Sequence, residues 1–585
     1  MTIALAAERR AFLRCWCAAC VCVALLSAAG IGRAHAAVCR VSPAGSSNGT
    51  GSWFVPFDMQ TALGKSACTE IWVRAGVYKP GTAASDTFAI RAGTAVYGGF
   101  SGYESSRDQR QPASNRSILS GDIGNNDSTD ALGITRLPGD IVGTNSTHVV
   151  TLDGSTIPIG NDTILDGFTI TAGDNTGDAD GGGGLRCFAN GSSNPEAQCS
   201  PRLQNLVLSG NRAYLGGGMM LFASAGAASS AILANVAFRG NLAHGFGGAL
   251  DIQADNAAGN PILSNATFIN NHAILAGGAM LSKAYGSGTL DLNLFNATFV
   301  GNHANNLSGA AELGCENGGA SNLILRNVTF NANDSDTNGA VSFAGSNCSL
   351  DVVLSNVISW GNSANTDPEI LDFDTVPAID HSVIQGSGGS ANWDTNLGSD
   401  NGGNLDADPR LGPLQDNGSG MLTMLPMMTS PAIDAGNDDT CPDIDQRGIS
   451  RPQGWHCDIG ATEAVIVDRI IAVSGSGQSR EVWQDFYNPL TLQVLDSQGL
   501  AAPGVRVHAE SAPAMTAAAD CTDATTNGSG FAYIYCRANG LSGTYVVDVH
   551  VIDFANVTPA DFVLTNTAGN GDTIFVDGFD PPGPL

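Results

Sequence analysis

The sequence predicts an all-β protein, a parallel β-helix followed by a small antiparallel β-sandwich. Three observations carry this: a thirty-residue repeat through the middle of the chain, the lack of any long run with helical periodicity, and a change of texture near Ala464. Fixed periods of this size mark solenoids and arrays, in which each unit buries its apolar face against its neighbours. The units are NLVLSGN from Asn205, NVAFRGN from Asn235, NATFINN from Asn265, NATFVGN from Asn296, NVTFNAN from Asn327 and NVISWGN from Asn356. A second asparagine follows each first one by six positions, at Asn211, Asn241, Asn271, Asn302, Asn333 and Asn362. Short β-prone runs alternate with Gly, Asn and Ser corners, and no run of ten residues or more repeats with period 3.6. This alternation predicts that Val207, Val236, Phe238, Phe268, Phe299 and Phe330 face a shared interior. Stacked amides at a corner can bond to one another and to backbone groups that the turn leaves unpaired, and Asn tolerates the left-handed backbone of a sharp bend. Both asparagine series are therefore expected to form a buried structural ladder.

Ahead of the repeats, Ile71–Pro80, Ala95–Arg110 and Ser117–Asp127 lead to early coils at His148–Gly154 and Thr163–Gly173. Beyond Ala464, Val482–Glu510, Thr526–Cys536 and Gly543–Val551 alternate with period two between turn signals, the pattern of an antiparallel sandwich. At the other end, Arg9, Arg10 and Arg14 precede an apolar stretch from Cys15 to Ala29 and a small-residue site at Ala34-His35-Ala36, which predicts a cleaved export signal. Export predicts an oxidising environment. Setting aside Cys15, Cys17, Cys20 and Cys22 in the signal, ten cysteines sort into sequence neighbours: Cys39 with Cys68, Cys187 with Cys199, Cys315 with Cys348, Cys441 with Cys457, and Cys521 with Cys536. Disulfides are the expectation.

The strings FRGN, FINN, FVGN and FNAN, interleaved with GGAL (Gly247–Leu250) and GGAM (Gly277–Met280), resemble the repeats of the polymorphic outer-membrane-protein family. That resemblance implies a right-handed β-helix on a surface protein, with adhesins among its members; the later SGAA (Ser308–Ala311) and NGAV (Asn338–Val341) depart from the motif. The blocks SPAIDAG (Ser430–Gly436), DQRG and RP within Ile444–Gly454, and CDIGATE (Cys457–Glu463) resemble the choice-of-anchor Q region of exported bacterial β-helix proteins. Asp496–Gly499, Pro503–Val507 and Thr526–Ala532 resemble bacterial Ig-like domains of the invasin type. Together these give a signal peptide at 1–36, a right-handed parallel β-helix at 37–465, an Ig-like β-sandwich at 466–566 and a disordered tail at 567–585.

Charge narrows the function. Among 585 residues, 26 Lys+Arg stand against 55 Asp+Glu, a formal net charge of −29, which argues against nucleic acid as a partner. Glycine numbers 74, well above a usual share of roughly 7%, as corner-rich folds require. No segment after the signal is long and apolar enough to span a membrane. The expectation is a secreted or cell-surface protein that binds polysaccharide or a surface protein along its β-helical face. The alternative is a carbohydrate-active enzyme, a polysaccharide lyase or glycoside hydrolase. A lyase needs a cationic base, and beyond the signal only Lys65, Lys79 and Lys283 supply lysine; a hydrolase needs paired carboxylates, for which Asp438-Asp439 lacks companions, and His244-Gly245 stands alone. Calcium is the one cofactor the residues suggest, through Asp174, Asp178 and Asp180 on a glycine-rich loop; a second acidic loop holds Asp438, Asp439, Asp443 and Asp445.

Overall fold

The computed structural model describes residues 38–569, apart from 178–179, 428, 465–466, 497–498, 500, 512–515 and 553–556. The predicted signal and most of the predicted tail lie outside the described residues, as does Asp178.

Each thirty-residue unit lays one strand in each of three parallel sheets, and the chain forms a right-handed parallel β-solenoid. In the first sheet Arg202–Ser209, Ile232–Arg239, Ile262–Ile269, Thr289–Val300 and Ala320–Asn331 stack in register. The second sheet stacks Leu185–Asn190, Met219–Ser224, Leu250–Asp255, Met280–Tyr285, Ala311–Glu316 and Val341–Ser346. Two-residue strands such as His272–Ala273 make the third. The first sheet begins at Val38–Val41, which pairs in parallel with Glu70–Arg74, so coils start well before the asparagine repeats.

Inside, like side chains pile on like. Phe238, Phe268, Phe299 and Phe330 are fully buried, with ring centroids 4.3–4.8 Å apart along the stack. Val207 departs from the expectation. The register pairs Leu206 with Val236 and Leu208 with Phe238, leaving Val207 opposite Ala237 on the outer face. The cause is Asn205, whose φ of +51° turns the strand and shifts which residues point inward.

The two asparagine series differ. Asn205, Asn235, Asn265, Asn296, Asn327 and Asn356 all take positive φ, between 51° and 58°, and form the corners. Asn205 and Asn235 are exposed rather than buried, because their amides sit outside the turn; Asn296, Asn327 and Asn356 are buried under later chain. The second series lies inside the coil. Asn211, Asn241, Asn271, Asn302, Asn333 and Asn362 are joined by side-chain hydrogen bonds of 2.9–3.0 Å. Each also donates to a backbone carbonyl of the preceding coil, as Asn271 does to Phe238 at 3.1 Å. Glu369 closes the ladder, accepting from Asn362 at 2.6 Å.

All five sequence-neighbour cysteine pairs are disulfides, Cys39–Cys68, Cys187–Cys199, Cys315–Cys348, Cys441–Cys457 and Cys521–Cys536. They close loops of 12 to 33 residues, each worth on the order of 3 kcal/mol of unfolded-chain entropy.

From 415 to 464 the chain turns back along the outer face of the first sheet as a strap. Gln446 donates to the Ala266 carbonyl and to Thr267 Oγ1, and accepts from Thr298 Oγ1. The Ala461 amide reaches Thr329 Oγ1, and the Asp458 and Gly460 carbonyls accept from Asn327. Ala432 and Ile459 pack on Ile358 and Val383. The strap has its own buried charges: Arg447 pairs with Asp445 at 2.6 Å and Arg451 with Glu463 at 2.7 Å, all four essentially inaccessible. Beyond it, small antiparallel sheets built from Val467–Ser474, Leu490–Asp496, Gly543–Val551, Ala560–Thr567 and their neighbours enclose a second core around Leu492, Val507, Val549 and Phe562.

Candidate functional site

The strap leaves one length of the first sheet open, and there the outer face is a cleft of about 340 Å³. Its floor is Thr169, Val207 and Ala237, the outward positions of three successive coils. Further along the same row stand Thr267, Thr298 and Thr329, which Gln446 and Ala461 cover. One wall comes from the loop after Ser117–Ser120. Its Ile134 and Thr135 are buried, and the Thr135 carbonyl accepts from Thr171 Oγ1 at 2.8 Å. Gly210, at φ +61°, lets this loop close down, since a Cβ there would lie 2.3 Å from that carbonyl. The opposite wall is Ser419, Gly420 and Met421, in a turn fixed by Asp416, which accepts from the Gly418 and Gly420 amides.

Three arginines converge on the cleft from distant parts of the chain: Arg116 before the strand Ser117–Ser120, Arg136 from the loop, and Arg239 at the end of Ile232–Arg239. Arg136 is anchored by Asp130 at 2.6 Å. Arg239 is half-buried, and its Nε has no hydrogen-bond partner among the described residues. Burial, then the positive charges of Arg116 and Arg136, hold its pKa below the ordinary arginine value, with Asp416 opposing. Three guanidinium groups stand here against Asp130 and Asp416, so a net positive charge is left that an anion seated in the cleft would complement.

Of the residues singled out for calcium, Asp178 lies outside the described residues, and the other two each face an arginine. Both carboxylate oxygens of Asp174 are held by Arg212, at 2.9 and 2.8 Å, and exposed Asp180 lies 3.5 Å from Arg186. Among the described residues no group of three His, Cys, Asp or Glu side chains is placed to hold a metal ion. In the second acidic loop Asp438 pairs with His456 at 2.8 Å, while Asp445 belongs to the buried strap network. Lys283 is buried on the second sheet between Glu312 and Glu316, 2.6 Å from each, and Asp251 beside it is driven by burial up to about 8. His244 is an exposed corner residue.

Sequence reading missed the three arginines because 123 positions separate Arg116 from Arg239, and Arg239 was read only as part of the FRGN repeat. The strap's docking row did leave a trace, a threonine two positions after Asn265, Asn296 and Asn327.

Fold and cleft define a class: a parallel β-solenoid with a basic furrow on one outer face and a sandwich-like unit at its C-terminal end. No family model matches the chain, and no curated protein matches it either.

Proposed function

We propose that this is an exported binding protein that holds an acidic polysaccharide on its solenoid face, with the Arg116, Arg136 and Arg239 cleft as the contact. The observation that carries the reading is the convergence of three guanidinium groups on one open furrow of a chain whose net charge is −29. Guanidinium forks match carboxylate and sulfate geometry. A furrow parallel to the stacking axis also suits an extended polymer better than a compact ligand. The disulfides and the resemblance to exported β-helix proteins support a location outside the cytoplasm, secreted or at the cell surface.

The test is titration of the chain with polygalacturonate, dextran sulfate and neutral dextran at low and moderate salt, with products assayed for released sugar. Binding of the two anionic polymers, weakened at higher salt and lost in the triple variant Arg116→Ala/Arg136→Ala/Arg239→Ala, is expected. Equal binding of neutral dextran, or an unaffected triple variant, overturns the reading. Release of sugar replaces it with an enzymatic one.

A further inference from the structure

The outer row of the third sheet holds a cluster that takes no part in the cleft. The string Asn-His-Ala occurs at 271–273 and again at 302–304, one coil on, and the ladder pairs His272 with His303 and Ala273 with Ala304. Both alanines are buried, so both imidazoles point outward, with ring centroids 4.9 Å apart. Each histidine directly follows a residue of the inner asparagine ladder. There Asn271 donates to Asn302 Oδ1 at 2.9 Å, and the His303 amide donates to the Asn271 carbonyl at 2.9 Å. The backbone that carries the two rings is therefore held from inside the coil, as a preorganised site requires. None of these residues lines the cleft.

The two rings aim at one point. His272 Nε2 lies 2.8 Å from Asn305 Oδ1, and His303 Nε2 lies 3.1 Å from the same oxygen. On its other side, His303 Nδ1 is 2.6 Å from Asp334 Oδ2, which stands on the following coil. An ionised carboxylate can only accept, so it takes the Nδ1 proton of the neutral ring and leaves Nε2 with the lone pair. That lone pair faces Asn305 Oδ1, a second acceptor, and a cation between them would satisfy both. A carboxylate behind the ring and a bare nitrogen in front is the arrangement that metal-ligating histidines take. Burial, then the charges of His303 and His244, hold the His272 pKa below the ordinary histidine value, with Asn305 and Asp334 opposing. Its ring is therefore neutral at neutral pH. Solvent reaches the cluster, with His272 and His303 half-buried and Asn305 exposed.

We propose that His272 and His303 are the imidazole ligands of a surface site for a divalent transition-metal ion, with Asn305 Oδ1 as a third donor and Asp334 orienting His303. Imidazole suits copper, nickel and zinc rather than calcium or magnesium, and copper(II) is held most tightly by such donors. Metal–nitrogen bonds of about 2.0–2.1 Å require each ring to close on the shared point by about 1 Å, a small turn for half-buried side chains. Among the described residues no third His, Cys, Asp or Glu side chain completes the set, so water fills the rest of the shell and the ion stays exchangeable. An ion held there bridges two successive coils and, binding the folded chain alone, stabilises it. The site does not depend on the reading of the cleft.

The test uses the untagged full chain, stripped with a chelator and titrated with copper(II), with calcium as the control ion. Calorimetry, thermal unfolding and electron paramagnetic resonance are read together. Wild type is expected to bind copper at a site whose spectrum shows two nitrogen ligands, with a rise in the unfolding temperature. His272→Ala and His303→Ala should each weaken that binding about tenfold or more. Asp334→Asn keeps both ligands and should weaken it about tenfold. His456→Ala, on the strap, should bind within about twofold of wild type. Without metal, the variants should unfold at the wild-type temperature, because the replaced side chains lie on the outer surface. A spectrum with one nitrogen ligand or none, or copper binding that only one or neither histidine variant weakens, overturns the site. An equal loss in His456→Ala, or calcium that displaces copper, overturns it as well.

Discussion

Replacing Asn271 by alanine tests which asparagine series holds the solenoid together. Asn271 makes four buried side-chain hydrogen bonds: it donates to Asn302 Oδ1 and to the Phe238 carbonyl, and accepts from the amide and the side chain of Asn241. The Asn241 side chain keeps the Leu208 carbonyl, and Asn302 Oδ1 keeps the Asn271 amide. Truncation therefore strands two donors, the Asn241 amide and the second Nδ2–H of the Asn241 side chain, at about 1–3 kcal/mol each, or about 2–6 kcal/mol together. Asn235→Gly, in the corner series, is the matched comparison. Glycine accepts the φ of +57° without strain, and the side-chain hydrogen bonds lost there are exposed, so about 1 kcal/mol or less is expected. Urea unfolding at fixed pH, with hydrogen exchange read in Ile232–Arg239 and Ile262–Ile269, measures both. Equal destabilisation by the two variants, or a loss below about 1 kcal/mol for Asn271→Ala, would refute the division of labour between the two series.

Three further outcomes follow from the geometry. Gly460 has φ +100°, and a Cβ there would lie 2.6 Å from Ile358 Cδ1 and 3.0 Å from Thr329 Oγ1, so Gly460→Val should lift the strap at a cost on the order of 3 kcal/mol. Limited proteolysis between 440 and 464 checks it; an unchanged cleavage rate counts against the strap's fit to the sheet. Asp251, at about 8 against an ordinary 3.8, keeps its proton longer in the folded than in the unfolded chain, so its contribution is fully present below about 4 and is lost as pH rises toward 8. Asp251→Asn stays neutral, and its melting temperature should gain on that of wild type between pH 5 and 8; parallel pH profiles would contradict this. Thr298→Val removes the hydroxyl that Gln446 accepts from at 2.5 Å and should cost about 1–3 kcal/mol, read as a fall in the urea midpoint. A midpoint within error of wild type would show that Gln446 finds another partner.

Much of the scaffold was legible because a solenoid writes its geometry into its period. The thirty-residue period put the asparagines in stacked columns at the coil corners, and the spacings of Cys39–Cys68 and Cys315–Cys348, 29 and 33 residues, match one lap of the coil. Val207 was misread because period-two alternation does not survive a positive-φ residue, and Asn205 shifts the inward set to Leu206 and Leu208. The separate fates of the two asparagine series were also out of reach. Burial of Asn327 depends on Asp458 and Gly460, more than 130 positions later. The basic cleft needed three dimensions for the same reason: Arg116, Arg136 and Arg239 are strangers in sequence and neighbours only once the coils stack.

The strap carries a consequence for how the molecule comes apart. A bare solenoid has only nearest-neighbour couplings, so it can fray from either end one lap at a time. Gln446 ties Thr267 to Thr298, and Ala461 and Asn327 fasten the next lap, across 131 to 180 positions of chain. These long-range ties make the middle laps one mechanical unit, which cannot unravel piecemeal until the latch itself has let go.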